Sequence, residues 1–384
     1  MKVVVAIDSF KGSLSTFESG DAVAAGVRAV YPDAEVVIAP LADGGEGTVA
    51  AIVSATGGKL CRARVSGPLG DGVVAEYGVI PQTKTAIIEM SAAAGIPLIS
   101  ADKRDPLRTT TFGVGELILD AIERHGCRNF IIGIGGSATN DGGFGMLQAL
   151  GFSFLDDAGE ELAAEGGALA RLAEIRTDGA HPLLSECRFR IACDVTNPLC
   201  GERGCSAIYG PQKGASPAVV AEMDVWLARY AELTEAVTGR DVASVAGVGA
   251  AGGLGYAFLA YLNGELTSGI ELVMGETALE EKLLDADIVV TGEGRLDAQS
   301  CMGKAPIGVA RLAKKHGKPV IAFAGCVTED ARACNLHGID AFFPILRAPS
   351  TLADAMDLEN AYRNLRDTAE QVFRAIKCFG EYKK

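Results

Sequence analysis

Residues 2–7 read KVVVAI, a β-branched run that stops at Asp8. A short, uninterrupted apolar run of this kind predicts a buried strand. The next segment, Ser15-Thr16-Phe17-Glu18, is a capping box. The Ser15 hydroxyl can accept from the backbone of Glu18 while the Glu18 carboxylate reaches back. Ala22, Val23, Gly26, Val27 and Val30 then recur at helical spacing until Pro32 ends the helix. Residues 35–41 predict a second strand with Asp43 just past its end, and residues 48–55 a short helix stopped by Gly57-Gly58. Strand, helix, strand, helix is how a parallel sheet with crossover helices begins.

The alternation breaks near residue 61. Residues 63–65, 73–80 and 85–90 predict three short strands with no helix between them, around the turn Gly67-Pro68-Leu69-Gly70. That pattern implies an antiparallel or mixed sheet and a different domain. A helix over 111–124 closed by Gly126, apolar runs at 130–134 and 190–192, and a long helix from Ser216-Pro217 to Gly239 follow. Near residue 285 the alternation resumes. Strands are expected at 287–290, 319–323 and 342–345, helices at 306–316 and 331–337, and one or two helices over 351–376. The expected fold is α/β: a Rossmann- or flavodoxin-like parallel-sheet domain from residues 1–60 and 285–384, with a second α/β domain carrying a mixed sheet inserted at 61–284. A chain of 384 residues accommodates two such domains.

The charge balance narrows the partners. Lys and Arg number 35 against 49 Asp and Glu, a formal net charge of −14. Nucleic acid and acidic membrane surfaces are therefore disfavoured, and an anionic ligand needs a local cluster of donors and cations. The ten cysteines include no CxxC and no zinc-like spacing, and read as free thiols of a reducing compartment, the cytoplasm. The N-terminus has no cleavable signal architecture. Residues 242–264 carry no charge and are long enough to cross a bilayer, but they hold six glycines between Asp241 and Glu265. They read better as a buried loop leading into a core helix.

In open parallel sheets ligands bind beyond the carboxyl ends of the strands. Five loops at such positions combine glycine with polar side chains. Residues 8–13 offer Asp8, Ser9, Lys11 and Ser13. Residues 43–48 offer Asp43, followed by two glycines, and Glu46, which also suits a helix N-terminus. Residues 133–143, GIGGSATNDGG, present Gly135, Gly136 and Ser137 as an anion cradle, with Asn140 and Asp141 placed to orient metal or substrate. A plain strand–turn–helix connection is the competing reading there. The fourth site pairs Asp194, at the end of an apolar strand, with Lys213 in GPQKG. The fifth runs TGEGRLD over 291–297, bringing Gly292, Glu293, Arg295 and Asp297, then Gln299-Ser300 and Gly303-Lys304.

Other signals fail. Residues 247–252, GVGAAG, match a dinucleotide fingerprint literally but follow no convincing strand. A nicotinamide-dependent hydroxy-acid dehydrogenase would rest on them alone. No glycine stands five residues before Gly303, so there is no Walker A loop. His125, His181, His316 and His337 fall at helix ends or in loops outside these motifs, against Ser–His–Asp hydrolysis and histidine-ligated zinc. What remains is carboxylates, a few lysines and one arginine on glycine-rich loops. Phosphoryl transfer uses that mixture.

The stretches AIDSFKGSLS (6–15), PLADGGEGT (40–48), GIGGSATNDGG (133–143), CDVTNPLCG (193–201), GPQKGA (210–215) and TGEGRLDAQS (291–300) occur in one order along the chain. In them the sequence resembles the type I glycerate kinase family over nearly its whole length. The resemblance implies transfer of the ATP γ-phosphoryl group to D-glycerate with Mg2+, giving 2-phosphoglycerate, in a cleft between a Rossmann- or flavodoxin-like domain and an inserted one. Hinges are then expected near residues 61 and 285. Lys11 and Arg295 are candidates for substrate carboxylate or phosphate charge, and Asp8 or Asp194 for the base. Ser9, Asp43, Asp297 and Lys213 are candidates for substrate binding, Asp43 and Asp297 also for the metal. Gly135, Gly136, Ser137, Asn140, Asp141, Gly292 and Lys304 are candidates for phosphate. A non-catalytic sugar-acid sensor on the same scaffold is the third reading. Homodimer and monomer are both compatible with the sequence.

Overall fold

The computed structural model describes residues 1–298 and 300–381, so Gln299 of the fifth loop lies outside the described residues. The strands are β1 (Lys2–Val5), β2 (Glu35–Ile38), β3 (Lys59–Ser66), β4 (Gly72–Ile80), β5 (Thr85–Glu89), β6 (Asn129–Gly133), β7 (Ser153–Leu155), β8 (Glu174–Arg176), β9 (Arg188–Ala192), β10 (Glu265–Thr267), β11 (Ile288–Leu296), β12 (Val320–Val327) and β13 (Ala341–Pro344). The fold is mixed α/β with parallel sheets. It divides into two compact units. The first joins Met1–Asp43, Ala50–Thr56 and the chain from Ile270 onward; the second joins Gly44–Val49 and Gly57–Gly269. The chain thus passes between the units at 43/44, 49/50, 56/57 and 269/270, where crossings near 61 and 285 were expected.

The first unit is built on a five-stranded sheet in the order β13-β12-β11-β1-β2. All its pairings are parallel. Val3, Val5 and Ile7 share a core with Val23 and Val27 of helix Thr16–Val30 and with Leu365, Ala369 and Phe373 of helix Leu358–Glu381. Val4, between them, is equally inaccessible, so both faces of β1 are covered. Each of the valine, isoleucine, leucine and phenylalanine side chains among these contributes ~1.5–3 kcal/mol on burial. The capping box forms as expected: the Glu18 amide donates to Ser15 Oγ at 3.2 Å and the Ser15 amide to Glu18 Oε2 at 2.8 Å.

Two details depart from expectation. Residues 329–337 wind as a 3₁₀ helix, Glu329–His337. Strand β11 runs on to Leu296 because β12 continues beside it, pairing Arg295 with Cys326 and Leu296 with Val327. Residues 291–296 are therefore strand rather than loop.

The second unit holds a six-stranded mixed sheet, β10-β9-β6-β5-β4-β3. The β3–β4 and β4–β5 pairs are antiparallel, the others parallel. Phe130 and Phe189 stack across β6 and β9 with ring centroids 4.8 Å apart. The uncharged 242–264 stretch becomes a loop and the core helix Ala250–Leu262, whose start bends through left-handed Ala251, Gly252 and Gly253. A Cβ on Gly252 would lie 2.1 Å from the Thr139 carbonyl oxygen. The GVGAAG glycines therefore serve backbone packing within this unit, which removes the basis of the dehydrogenase reading. No helix of the described residues is long and apolar enough to cross a membrane.

Helices Thr16–Val30 and Leu358–Glu381 cross at Gly26, where an added Cβ would meet the Arg366 carbonyl oxygen at 2.4 Å and Ala369 Cβ at 2.9 Å. Overpacking of this kind costs ~1–3 kcal/mol. Gly26→Val is expected to lower the melting temperature; an unchanged thermal transition would show that this crossing is not close-packed.

Candidate active site

The chain leaves the first unit's β1 and turns sharply. Phe10 and Leu14 exchange backbone hydrogen bonds at 2.7 and 3.1 Å, both side chains are buried, and Gly12 between them sits at φ 79. A left-handed residue there is best supplied by glycine. Thr16, next to the helix cap, fastens this turn to its neighbour: its hydroxyl donates to the Ile7 carbonyl at 2.6 Å and accepts from the Leu41 amide at 3.0 Å. One buried side chain thereby ties the end of β1 to the segment after β2, and sets the positions of Asp8 and Asp43.

Strand order reverses between β1, whose next partner in sequence lies on one side, and β11 on the other. Crevices at such switch points are where open α/β sheets bind ligands. Here a cavity of 350 Å³ opens, bordered by Asp8, Ser9, Lys11, Asp43, Glu293, Arg295 and Lys304 at its polar end. Lys11 Nζ lies 3.0 Å from Asp43 Oδ2. Burial works against the Lys11 ammonium, but Asp43, Asp8 and Glu293 more than offset it and raise its pKa. Glu293 accepts a short hydrogen bond from the buried Ser300 hydroxyl and faces Lys304 Nζ at 3.9 Å. Ser13 Oγ is enclosed at the cavity wall and finds no hydrogen-bond partner among the described residues.

Asp8 is 4% exposed. Burial, then the neighbouring Asp43 carboxylate, push its carboxyl up to about 7; the Ser9 amide, donating at 2.7 Å, and Lys11 pull the other way. A carboxylate poised near neutrality is matched to accepting a proton from an alcohol.

Asp8, Ser9, Lys11, Asp43, Arg295 and Lys304 are thus brought together. Other expected residues are committed elsewhere. Asp297 is ion-paired with Arg295 at 3.3 Å and receives the Ser300 amide at 3.2 Å, and it does not border the cavity. Gly292 is a sheet residue: its carbonyl accepts from the Asp8 amide at 3.0 Å, and a Cβ there would meet the Phe323 carbonyl oxygen at 2.0 Å.

In the second unit, Asp141 is fully buried and accepts from the Thr111 amide, the Thr111 hydroxyl and the Gly143 amide, at 2.8, 2.7 and 3.1 Å. Asn140 donates to Ser206 Oγ at 2.9 Å, also in the core. Ser137 is buried, forming an isolated bridge with Gly95. Lys213, 2% exposed, donates to the Thr139 carbonyl at 2.5 Å. Burial lowers its pKa to about 8. Asp141, Asn140 and Lys213 thus make side-chain hydrogen bonds that hold the 137–143 loop and its surroundings together, while Asn140 Oδ1 stays buried with no hydrogen-bond partner among the described residues. Only Gly135 and Gly136 leave backbone exposed in that loop. Asp194 is exposed and accepts the Gly269 amide at 3.0 Å.

Glu89 went unnoticed in the sequence. At the end of β5, it accepts the Val49 amide at 2.8 Å, capping helix Thr48–Thr56 in place of Glu46, and burial raises its carboxyl to about 7. Only the strand register could have shown it. The apolar side of the cavity, built by Ile345, Leu346, Leu352, Ala355 and Met356, was likewise hidden, since Ile345 was read as strand and Leu352, Ala355 and Met356 as part of the closing helices.

If Lys213 is structural, Lys213→Met should change the melting temperature while leaving KM for acceptor and phosphoryl donor as in the wild type; a selective rise in either KM would return Lys213 to the ligand.

Residues 3–377 match the model of the Glycerate kinase family. The chain is 52% identical over 365 residues to the glycerate 2-kinase of Escherichia coli K12, covering 95% of each chain. It is 46% identical over 377 residues to the glycerate kinase of Bacillus subtilis 168, covering 98% of each. Its structure is similar to a crystal structure from Salmonella typhimurium LT2, of a protein assigned as glycerate kinase 2, with TM-score 0.89 at 48% identity over 99% of each chain. With a switch-point cavity of carboxylates and cations and a family match from one end to the other, the chain belongs to the glycerate kinase family.

Proposed function

We propose that this protein transfers the γ-phosphoryl group of ATP to D-glycerate in the cytoplasm, releasing 2-phosphoglycerate and ADP, with Mg2+ as the metal. The observation that carries the reading is Asp8: a buried carboxyl with a pKa of about 7, set in a cavity between cations. In this reading Asp8 accepts the proton of the attacking hydroxyl. Lys11, Arg295 and Lys304 balance the charge of the acid and the phosphates, and Ser9 and Ser13 offer hydroxyls to the substrate. Asp194, exposed on the second unit, is the alternative base.

Among the described residues no group of three or more His, Cys, Asp or Glu side chains could hold a metal by itself. Mg2+ asks for less, since it commonly takes one or two carboxylates and completes its shell with water and substrate phosphates. Asp43 and Glu293, both on the cavity wall, fit that mode; Asp297, facing Arg295 outside it, does not. When bound, Mg2+ would neutralise charge on the transferring phosphates.

The direct test is ATP consumption with Mg2+ and D-glycerate, read through enolase alone or through phosphoglycerate mutase plus enolase. A signal with enolase alone is expected. A signal that needs the mutase would mean the 3-phospho product, and none in either arm would overturn the reading.

Asp8 makes a separate prediction with two signs. Because its folded pKa of about 7 lies above the ordinary 3.8, the folded protein holds that proton more tightly, and stability falls as pH rises between those values. Asp8→Asn should therefore melt higher than wild type above neutrality, yet lose turnover by ~10²–10⁴-fold. Wild-type kcat/KM should rise with pH and level off above about 7. Near-native turnover in Asp8→Asn, with a large loss in Asp194→Asn, would transfer the base to Asp194.

A further inference from the structure

The cavity of the first unit has a second half that the chemistry above does not use. Past the carboxyl ends of β12 and β13 its wall becomes apolar: Ile345, Leu346, Leu352, Ala355 and Met356. Three of these are unusually open to water, Leu346 at 36%, Leu352 at 79% and Met356 at 38%. Leu352 and Met356 stand on the short helix Leu352–Met356, whose entry is capped by Thr351, accepting from the Asp354 amide at 3.1 Å. A cluster of exposed apolar side chains inside a concave site marks a ligand groove. The two halves are contiguous: an added Cβ on Gly12, in the turn that carries Asp8 and Lys11, would lie 2.8 Å from Met356 Cε.

A three-carbon hydroxy-acid has no apolar face to cover such a wall. A nucleoside triphosphate does, with a flat base at one end and anionic groups at the other. The cavity has the same two ends, apolar above β12 and β13 and charged where Lys11, Arg295 and Lys304, the groups that can meet phosphate, stand among Asp8, Asp43 and Glu293. We propose that the wall formed by Leu346, Leu352, Ala355 and Met356 is the seat of the donor's purine base, which orients the phosphates toward Lys11. Methionine and leucine suit this task, since a thioether adapts to a flat π-surface. The proposal rests on the reading of ATP as phosphoryl donor and adds where its base is held.

The test is equilibrium binding by calorimetry, with Mg2+ and without glycerate, of ATP and of inorganic triphosphate to wild type, Leu352→Asn and Met356→Gln. Both substitutions are neutral and at exposed positions, so they leave the charge of the site and the core untouched. Each should weaken ATP by about tenfold, as expected for losing one buried apolar side chain against the base. Triphosphate affinity and KM for D-glycerate should stay as in wild type. Unchanged ATP affinity, or equal losses for ATP and triphosphate, would overturn the seat, as would a wild type that binds no ATP. A dimer in wild type that becomes monomeric in Leu352→Asn, with ATP binding intact, would assign the wall to a second copy of the chain instead. If ATP binding falls as expected but no glycerate is phosphorylated, the seat stands and the proposed activity fails.

Discussion

The central constraint is a carboxylate kept almost out of water at the end of a central strand. Asp8 follows β1, which is flanked on both sides by parallel strands and covered on both faces, so the chain delivers this side chain into a region with little solvent. A second and a third carboxylate, Asp43 and Glu293, face the same cavity. Three acids in one place would repel one another without compensation. Lys11 on the same turn, the Ser9 amide and Lys304 supply it. The electrostatic arrangement therefore depends on the turn between Asp8 and Ser15, and that turn depends on the Phe10–Leu14 pairing, the left-handed Gly12 and the Thr16 hydroxyl.

Burial and polarity are graded along the cavity rather than mixed. Charges stand where β1 and β11 end, beside the switch in strand order, and apolar side chains where β12 and β13 end. An elongated ligand with one charged and one apolar end is accommodated by that gradient in a single orientation. Orientation supplied by the site before reaction is a large part of what a phosphotransferase provides, because the transfer itself asks the protein for positioning and charge more than for covalent chemistry.

Glycine-rich motifs in this chain divide into two kinds that look alike in sequence. Gly12 bends a turn at the cavity. Gly292, Gly252 and Gly44 instead permit backbones within their own units to approach: Gly292 lets β12 lie against β11, Gly252 lets a helix start lie against Thr139, and a Cβ on Gly44 would be 2.6 Å from Ala192 Cβ. The same ambiguity applies to polar residues beside them. Asp141, Asn140 and Lys213 sit in motifs as rich in glycine as the one carrying Asp8, but the hydrogen bonds they make hold a loop, and Asn140 keeps only its buried Oδ1 without a partner among the described residues.

The sequence by itself determined the elements whose causes are local. The β-branched run of β1, the capping box at Ser15, the Gly126 and Gly239 helix stops and the helix-free β3–β5 segment all act through neighbours a few residues away, and each formed where its residues predicted. The loops that hold Asp8, Lys11 and Asp43 were legible for the same reason: they follow strands and carry chemistry. Only the tertiary structure decided which polar residues face a cavity and which are enclosed, since that depends on partners far along the chain. Glu89 finds the Val49 amide, Lys213 finds Thr139, and the segment carrying Glu293 and Arg295 becomes strand only because β12 lies beside it. The apolar wall at Leu352 and Met356 was legible only as helix, because an exposed leucine carries no mark in sequence of what will cover it; its meaning comes from standing beside the charges of β1 and β11.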